Sequence, residues 1–295
     1  MLDSPTLGLL LVVLIWGGNF TATKLALSEI TPLAFITVRF AFGTILLWLV
    51  LGRREGWRLP PRDTWWPLIG LGVVGNTLYQ LCFMIGLYRT TATNSALILA
   101  SMPTVVTVAA GLLGLEKVTG RQAWGLAIAT MGVVLVVATR GFTPGHGDLV
   151  GDLLMLCAVL CWAAYTLGLR SLSGKMSTLA LTTWTLITGT PGLLLVGIPA
   201  ARRLPWSAVT VRGWGGLTYA TLLSLLVAYA LWNRGVRQVG PSRAALLTTL
   251  TPFVATVIAI LVLGERPGWL HLAGGALIIA GVLVSRRSVL PTSTP

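Results

Sequence analysis

Apolar positions along this chain gather into ten long stretches separated by short polar connectors. They run over residues 7–27, 32–51, 65–88, 92–113, 121–139, 149–170, 177–200, 212–236, 240–263 and 268–285. Each approaches the roughly 20 residues a helix needs to cross the hydrocarbon layer of a bilayer. Pro32, Pro60-Pro61, Gly120, the stretch from Gly141 to Gly147, Gly174, Pro205, Gly240-Pro241 and Pro267-Gly268 punctuate them, as helix ends require. The runs do not alternate apolar with polar as barrel strands do. In lipid the backbone must satisfy its own hydrogen bonds, so helices remain. The pattern predicts an all-α integral membrane protein of ten transmembrane helices. Met1–Thr6 lacks a basic region and no small-residue cleavage site follows, so the first stretch reads as a span and not a removable signal.

The stretches repeat. Pro103 precedes a run ending Leu-Gly-Leu-Glu-Lys at Lys117, and Pro252 precedes one ending Leu-Gly-Glu-Arg at Arg266. Both the prolines and the acids Glu116 and Glu265 stand 149 residues apart, as do Gly125 and Gly274, Gly132 and Gly281, and Trp65 and Trp214. At an offset of 146, Trp16 falls on Trp162 and Lys24 on Arg170. Five is an odd number of helices, so a second set of five enters the membrane from the opposite side. The expectation is two inverted-topology five-helix repeats, 1–145 and 146–295. In secondary transporters this architecture places the site between the repeats near the midplane, with alternating access.

Composition sharpens the class. Of 295 residues 55% are hydrophobic and only 10% charged, too few charges for a water-facing surface. The formal charge of +13 is spread over connectors without an aromatic-interleaved basic stripe, which argues against nucleic acid. It serves orientation instead. With the N-terminus cytoplasmic, the inner connectors hold Arg53, Arg54, Arg58, Arg62, Lys117, Arg121, Arg170, Lys175, Arg234, Arg237, Arg243, Arg286 and Arg287. The outer ones hold only Lys24, Arg89, Arg140, Arg202, Arg203, Arg212 and Arg266, so both termini are predicted inside. Cys82, Cys157 and Cys161 lie in apolar stretches away from His146 and His271, so no metal and no cofactor are expected.

Trp16-Gly17-Gly18-Asn19-Phe20, Arg39-Phe40 and the paired proline, Gly-Glu and Gly-x6-Gly segments resemble the drug/metabolite transporter superfamily, EamA type. Within it the chain most resembles the YddG-type bacterial amino-acid exporters. That resemblance implies ten helices, cytoplasmic termini in the bacterial inner membrane, and export of aromatic and other neutral amino acids and related metabolites. Trp162-Ala163-Ala164-Tyr165 departs from the first-half motif, so the halves need not line the pathway equally.

Mid-helix polar and aromatic groups are costly against lipid and should face a cavity. The candidates for substrate contact are Trp16, Asn19, Thr23, Arg39, Asn76, Tyr79, Gln80, Phe83, Trp162, Tyr165, Thr183, Trp184, Tyr229, Trp232 and Asn233. Asn76, Tyr79, Gln80 and Phe83 keep the spacing of one helix face. Each aromatic alone is equally a packing residue; the set suggests an amphipathic cavity. Arg39 would bind a carboxylate or tie down carbonyls of a neighbouring helix. Lys24, nearer the helix end, reads as interfacial. Pro103 and Pro252 are expected as paired hinges. No acid among the eight is expected deep in a span, so transport by facilitated diffusion is anticipated. Glu116 and Glu265 should cap or pair at helix ends. Gly70–Gly75 spells a dinucleotide fingerprint without a strand, and is read as close helix packing. The alternatives are a nucleotide-sugar or sugar-phosphate carrier, which needs convergent cations, and a membrane-embedded enzyme, whose paired carboxylates or Ser/His set is missing. Small-molecule substrate and lipid bilayer are the only partners implied.

Overall fold

The computed structural model describes residues 4–57, 59–114, 119–138, 149–172, 174–232, 247–248 and 250–286. Among these the regular structure is helical throughout. Seven helices are long and apolar enough to cross a membrane. They are α1 (Ser4–Ala26), α2 (Pro32–Glu55), α3 (Arg62–Arg89), α4 (Ala92–Leu112), α6 (Leu149–Gly168), α7 (Thr178–Arg203) and α8 (Val211–Trp232). Three shorter stretches complete the described set: α5 (Gly120–Ala138), α9 (Thr251–Leu263) and α10 (Trp269–Arg286). The expected span 240–263 lies largely outside the described residues up to Leu250.

Local chemistry sets the ends. Pro32 occupies the first turn of α2, where its missing N–H costs nothing. Gly56, Gly114 and Gly264 follow α2, α4 and α9 with φ of 83°, 67° and 68°, a conformation that stops a helix and that glycine adopts without strain. Outward faces carry Phe42, Trp66, Trp124, Leu195 and Phe253, all exposed, as a lipid-facing surface requires.

Small residues let the helices meet. A Cβ on Gly132 of α5 would stand 2.6 Å from the Gly274 carbonyl of α10, and one on Gly281 would stand 2.5 Å from the Gly125 carbonyl. Likewise Gly189 of α7 leaves no room beside Gly72 and Asn76 of α3, and Gly43 of α2 none beside Leu225 of α8. Such close backbone approach is how apolar helices associate where lipid offers no hydrophobic drive.

Three irregularities recur at the sequence offsets. α4 breaks at Ser101, where Ser101 N–H turns back to the Ile98 carbonyl at 3.1 Å ahead of Pro103. Leu250 N–H turns back to the Leu247 carbonyl at 3.0 Å ahead of Pro252, each partner 149 residues on. Proline supplies no donor for the preceding turn, which explains both breaks. α3 carries a π-helical turn at Val73–Leu78 and α8 one at Tyr219–Val227, whose last six residues are again 149 on. Finally, the Thr44 and Thr190 hydroxyls, 146 residues apart, hydrogen bond at 2.8 Å between α2 and α7.

Candidate functional site

Two aromatic clusters occupy the interior. In the first, Trp16 of α1 lies 6.2 Å from Tyr229 and 5.6 Å from Trp232 of α8, centroid to centroid. The Trp16 indole donates to the Ser224 carbonyl at 3.3 Å, inside the π turn, and the Tyr219 hydroxyl donates back to the Ile15 carbonyl at 3.0 Å. In the second, Tyr79 of α3 stacks on Phe83 at 5.8 Å and meets Trp162 of α6 at 5.0 Å, with Tyr165 5.3 Å beyond. Phe20 of α1 packs on Phe83 at 6.0 Å and extends this second cluster. Offset rings at such separations are favourable and leave faces and edges for a further ring or aliphatic chain.

Arg39 of α2 belongs to this interior. It is buried, its guanidinium carbon 5.8 Å from the Phe40 ring centroid, and Tyr79 and Tyr229 are near enough to feel its charge. One tyrosine comes from each cluster. Asn19 is buried three residues beyond Trp16, with its carbonyl oxygen unbonded, as is that of Gln80 beside Tyr79.

Other candidates are engaged in helix packing. The Asn76 amide donates to the Thr185 carbonyl at 3.0 Å, the Tyr165 hydroxyl meets Thr185 at 3.3 Å, and Trp184 packs on Trp65 at 5.5 Å near the helix ends. Asn233 and the side chain of Pro103 lie outside what is described. Phe20 and Ser224 are not among the sequence candidates; Phe20 shares the helical face of Trp16, Asn19 and Thr23, which is the signal that finds it.

The two ends of the bundle differ in their ties. At the distal end, opposite the start of α1, the Lys24 ammonium donates to the carbonyls of Leu87 at 2.8 Å, Tyr88 at 2.9 Å and Thr90. These last carbonyls of α3 lack intrahelical partners, and a cation there also meets the negative end of the helix dipole. The Thr90 hydroxyl donates to Asp152 at 2.8 Å, and Asp152, in the first turn of α6, is wholly buried. Glu265 accepts from the Ala92 and Thr93 amides at 2.8 and 3.1 Å, capping α4 as a carboxylate at a helix N-terminus should. The expectation that Glu265 caps a helix end is thus met, on a neighbouring helix; Glu116 lies outside the described residues. Glu29 accepts from Thr210 N–H and hydroxyl at 2.7 and 2.6 Å, and these bonds hold its carboxyl below the usual range. At the proximal end Lys175 pairs with Asp63 at 2.5 Å and Ser177 donates to Glu55 at 2.5 Å.

Comparison with known proteins agrees with this geometry. A solved crystal structure superposes with a TM-score of 0.64 at 19% identity, covering 96% of this chain and 97% of that one, and so shares the fold. The "Uncharacterized transporter YyaM" of Bacillus subtilis is 26% identical over 273 residues, 91% of this chain and 89% of its own. The "Probable terminal-alkyne amino-acid exporter" of Streptantibioticus cattleyicolor is 28% identical over 292 residues, 98% and 95% of the two chains. The profile of the EamA-like transporter family matches residues 4–138 and 149–287. The chain is a multi-pass membrane transporter and belongs to the EamA-like transporter family.

Proposed function

We propose that this transporter exports neutral amino acids, aromatic ones included, and related metabolites from the cytoplasm across the bacterial inner membrane. It does so by alternating access between two inverted five-helix repeats, 1–145 and 146–295, ten spans in all, with both termini cytoplasmic. The observation that carries this reading is the Thr44–Thr190 hydrogen bond. A two-fold operation that exchanges positions 146 apart maps this contact onto itself, so the bond lies on the axis. The Gly125–Gly281 and Gly132–Gly274 contacts exchange with one another under the 149 offset, as do Gly43–Leu225 and Gly189–Asn76 when each helix keeps its own offset. Two such halves have two equivalent ways to pack, which is the structural basis of alternating access.

The aromatic clusters, one at each side of that axis, supply surfaces for an apolar side chain. The distal ties from Lys24, Asp152 and Glu265 fit a gate closed toward the periplasm, leaving the cytoplasmic side to admit substrate. Pro103 and Pro252 stand at the matching breaks and serve as hinges. The buried carboxylate of Asp152 sits in that gate and not beside the clusters, so the path itself holds no titratable acid among the described residues, and movement follows the substrate's own gradient.

Counterflow of labelled phenylalanine in proteoliposomes without an ion gradient tests this. Saturable, protein-dependent exchange competed by other large neutral amino acids is expected. Accumulation driven only by an imposed pH gradient would refute the gradient-free mechanism, and exchange of sugar phosphates alone would refute the substrate.

A further inference from the structure

Five of the eight acids lie among the described residues, and each is occupied at a helix end. Glu29 holds Thr210, Glu55 holds Ser177, Asp63 pairs with Lys175, Asp152 takes the Thr90 hydroxyl, and Glu265 caps α4. None neutralises Arg39. That side chain is only 5% exposed, seven residues into α2 past Pro32, and among the described residues it makes no hydrogen bond or ion pair. At about 1.5 Å per residue it lies roughly 10 Å along the helix, too deep for its head to reach the interface without strain. A buried guanidinium keeps its charge, and a buried charge is retained against its cost where it pairs or serves a pathway.

Resting on the amino-acid reading above, we propose that Arg39 is the carboxylate-binding residue of the transport site, and that it fixes the substrate in a single direction relative to the two repeats. The guanidinium offers a planar fork of donors that matches a carboxylate. Buried beside the Phe40 ring, with Tyr79 and Tyr229 of the two aromatic clusters near enough to feel its charge, it would let a bound acid group place its side chain against aromatic surface. A lone cation suits one carboxylate; a phosphate calls for several, and Lys24 is committed to the end of α3. The buried, unbonded carbonyl oxygens of Asn19 and Gln80 are acceptors without a donor, which suits an ammonium group. The direction follows from the repeat. The position 146 residues after Arg39 is Thr185, a neutral residue already bonded to Tyr165 and, through its carbonyl, to Asn76. At this pair of positions only the first half carries a cation, so the acid group stays with α2 in both conformations.

The test compares phenylalanine, phenethylamine (no carboxylate) and 3-phenylpropionate (no ammonium) as stabilisers of the full chain in detergent and as counterflow substrates. Phenylalanine should stabilise and exchange, while phenethylamine should do so at least 30-fold less well. Arg39→Gln should erase that preference, and Arg39→Lys should restore part of it. Should phenethylamine match phenylalanine in the wild-type protein, the proposal falls while an amino-compound carrier stands. Should 3-phenylpropionate match phenylalanine and lose binding in Arg39→Gln, the proposal stands and the amino-acid reading gives way to carboxylates at large. Should none of the three bind, both fall. Because the first comparison uses the wild-type chain, misfolding of Arg39→Gln cannot mask the answer.

Discussion

Lys24→Met is the substitution that most directly probes the distal gate. Methionine keeps the length and the apolar stem of lysine and removes the ammonium that bonds the Leu87, Tyr88 and Thr90 carbonyls. A hydrogen bond to a charged group contributes about 1.5–3 kcal/mol net. The three bonds do not add, because Lys24 is only half-buried and the carbonyls at this end of α3 regain water once it is gone. Taking the whole tie as about 2 kcal/mol, and 1.4 kcal/mol as tenfold, distal opening becomes roughly 30 times more populated. Thr93 reports on it: it is 2% exposed beneath the Glu265 cap. In a background with Cys82, Cys157 and Cys161 replaced, Thr93→Cys should react with a membrane-impermeant maleimide from the periplasmic side. Adding Lys24→Met should raise the rate by about one order of magnitude or more, and Lys24→Arg should leave it near the parent. Equal rates for Lys24→Met and its parent would refute the assignment of this end as a gate held by Lys24.

Gly132→Leu would force a Cβ to 2.6 Å from the Gly274 carbonyl, and overpacking of about 1–3 kcal/mol should lower the thermal unfolding midpoint read by tryptophan fluorescence. Thr44→Val and Thr190→Val should cost similar stability singly and couple by about 0.6 kcal/mol in a double-mutant cycle; zero coupling would remove the axial bond from the argument. The depressed carboxyl of Glu29 contributes stability that is present above its ordinary value of 4.5 and lost as pH falls through its lower folded value. Acid should therefore narrow the stability gap between the parent and Glu29→Gln, as thermal melts across that range would report. Pro103→Ala with Pro252→Ala restores the missing donors and should slow transport in liposomes while leaving the unfolding midpoint equal or higher, whereas unchanged transport would remove the hinges.

Span positions were legible because hydrophobic length is a local property of the chain. α2 begins at Pro32 and α4 at Ala92, where the apolar stretches begin, and α10 ends within a residue of expectation. Which face meets which neighbour is not local, and there the sequence misleads. Asn76 keeps the spacing of Tyr79 and Phe83, yet its amide serves the α3–α7 contact beside Gly189, because a close glycine crossing brings the Thr185 carbonyl within reach. Trp184, expected to face a cavity, packs on Trp65, since a ring near the start of α7 meets a different layer of neighbours from one at the helix centre. Lys24 read as interfacial because its sequence neighbours do not reveal that α3 ends beside it. The π turns left no signature in composition: they are choices between hydrogen-bond partners one residue apart, made by packing.

The repeat also separates two kinds of residue by what they can do. On the proposed reading, a contact on the axis maps to itself, so Thr44–Thr190 would be identical in both packings of the halves and would favour neither. Gate residues, on the same reading, change partners between states; at the repeat offsets Lys24 corresponds to Arg170 and Glu265 to Glu116, like charge for like charge, whereas Asp152 corresponds to Thr6. Closing one end with Lys24 and Glu265 is then chemically close to closing the other with Arg170 and Glu116, which would keep two such states near in energy. The interior breaks the correspondence, with Arg39 against Thr185, Asn19 against Tyr165, and Gly17-Gly18 against Ala163-Ala164, and so do end ties such as Asp152 against Thr6 and Glu29 against Lys175. On the proposed reading the interior asymmetry decides how a substrate with a head and a tail lies between the rings, and so would give two related halves a preference for one kind of molecule.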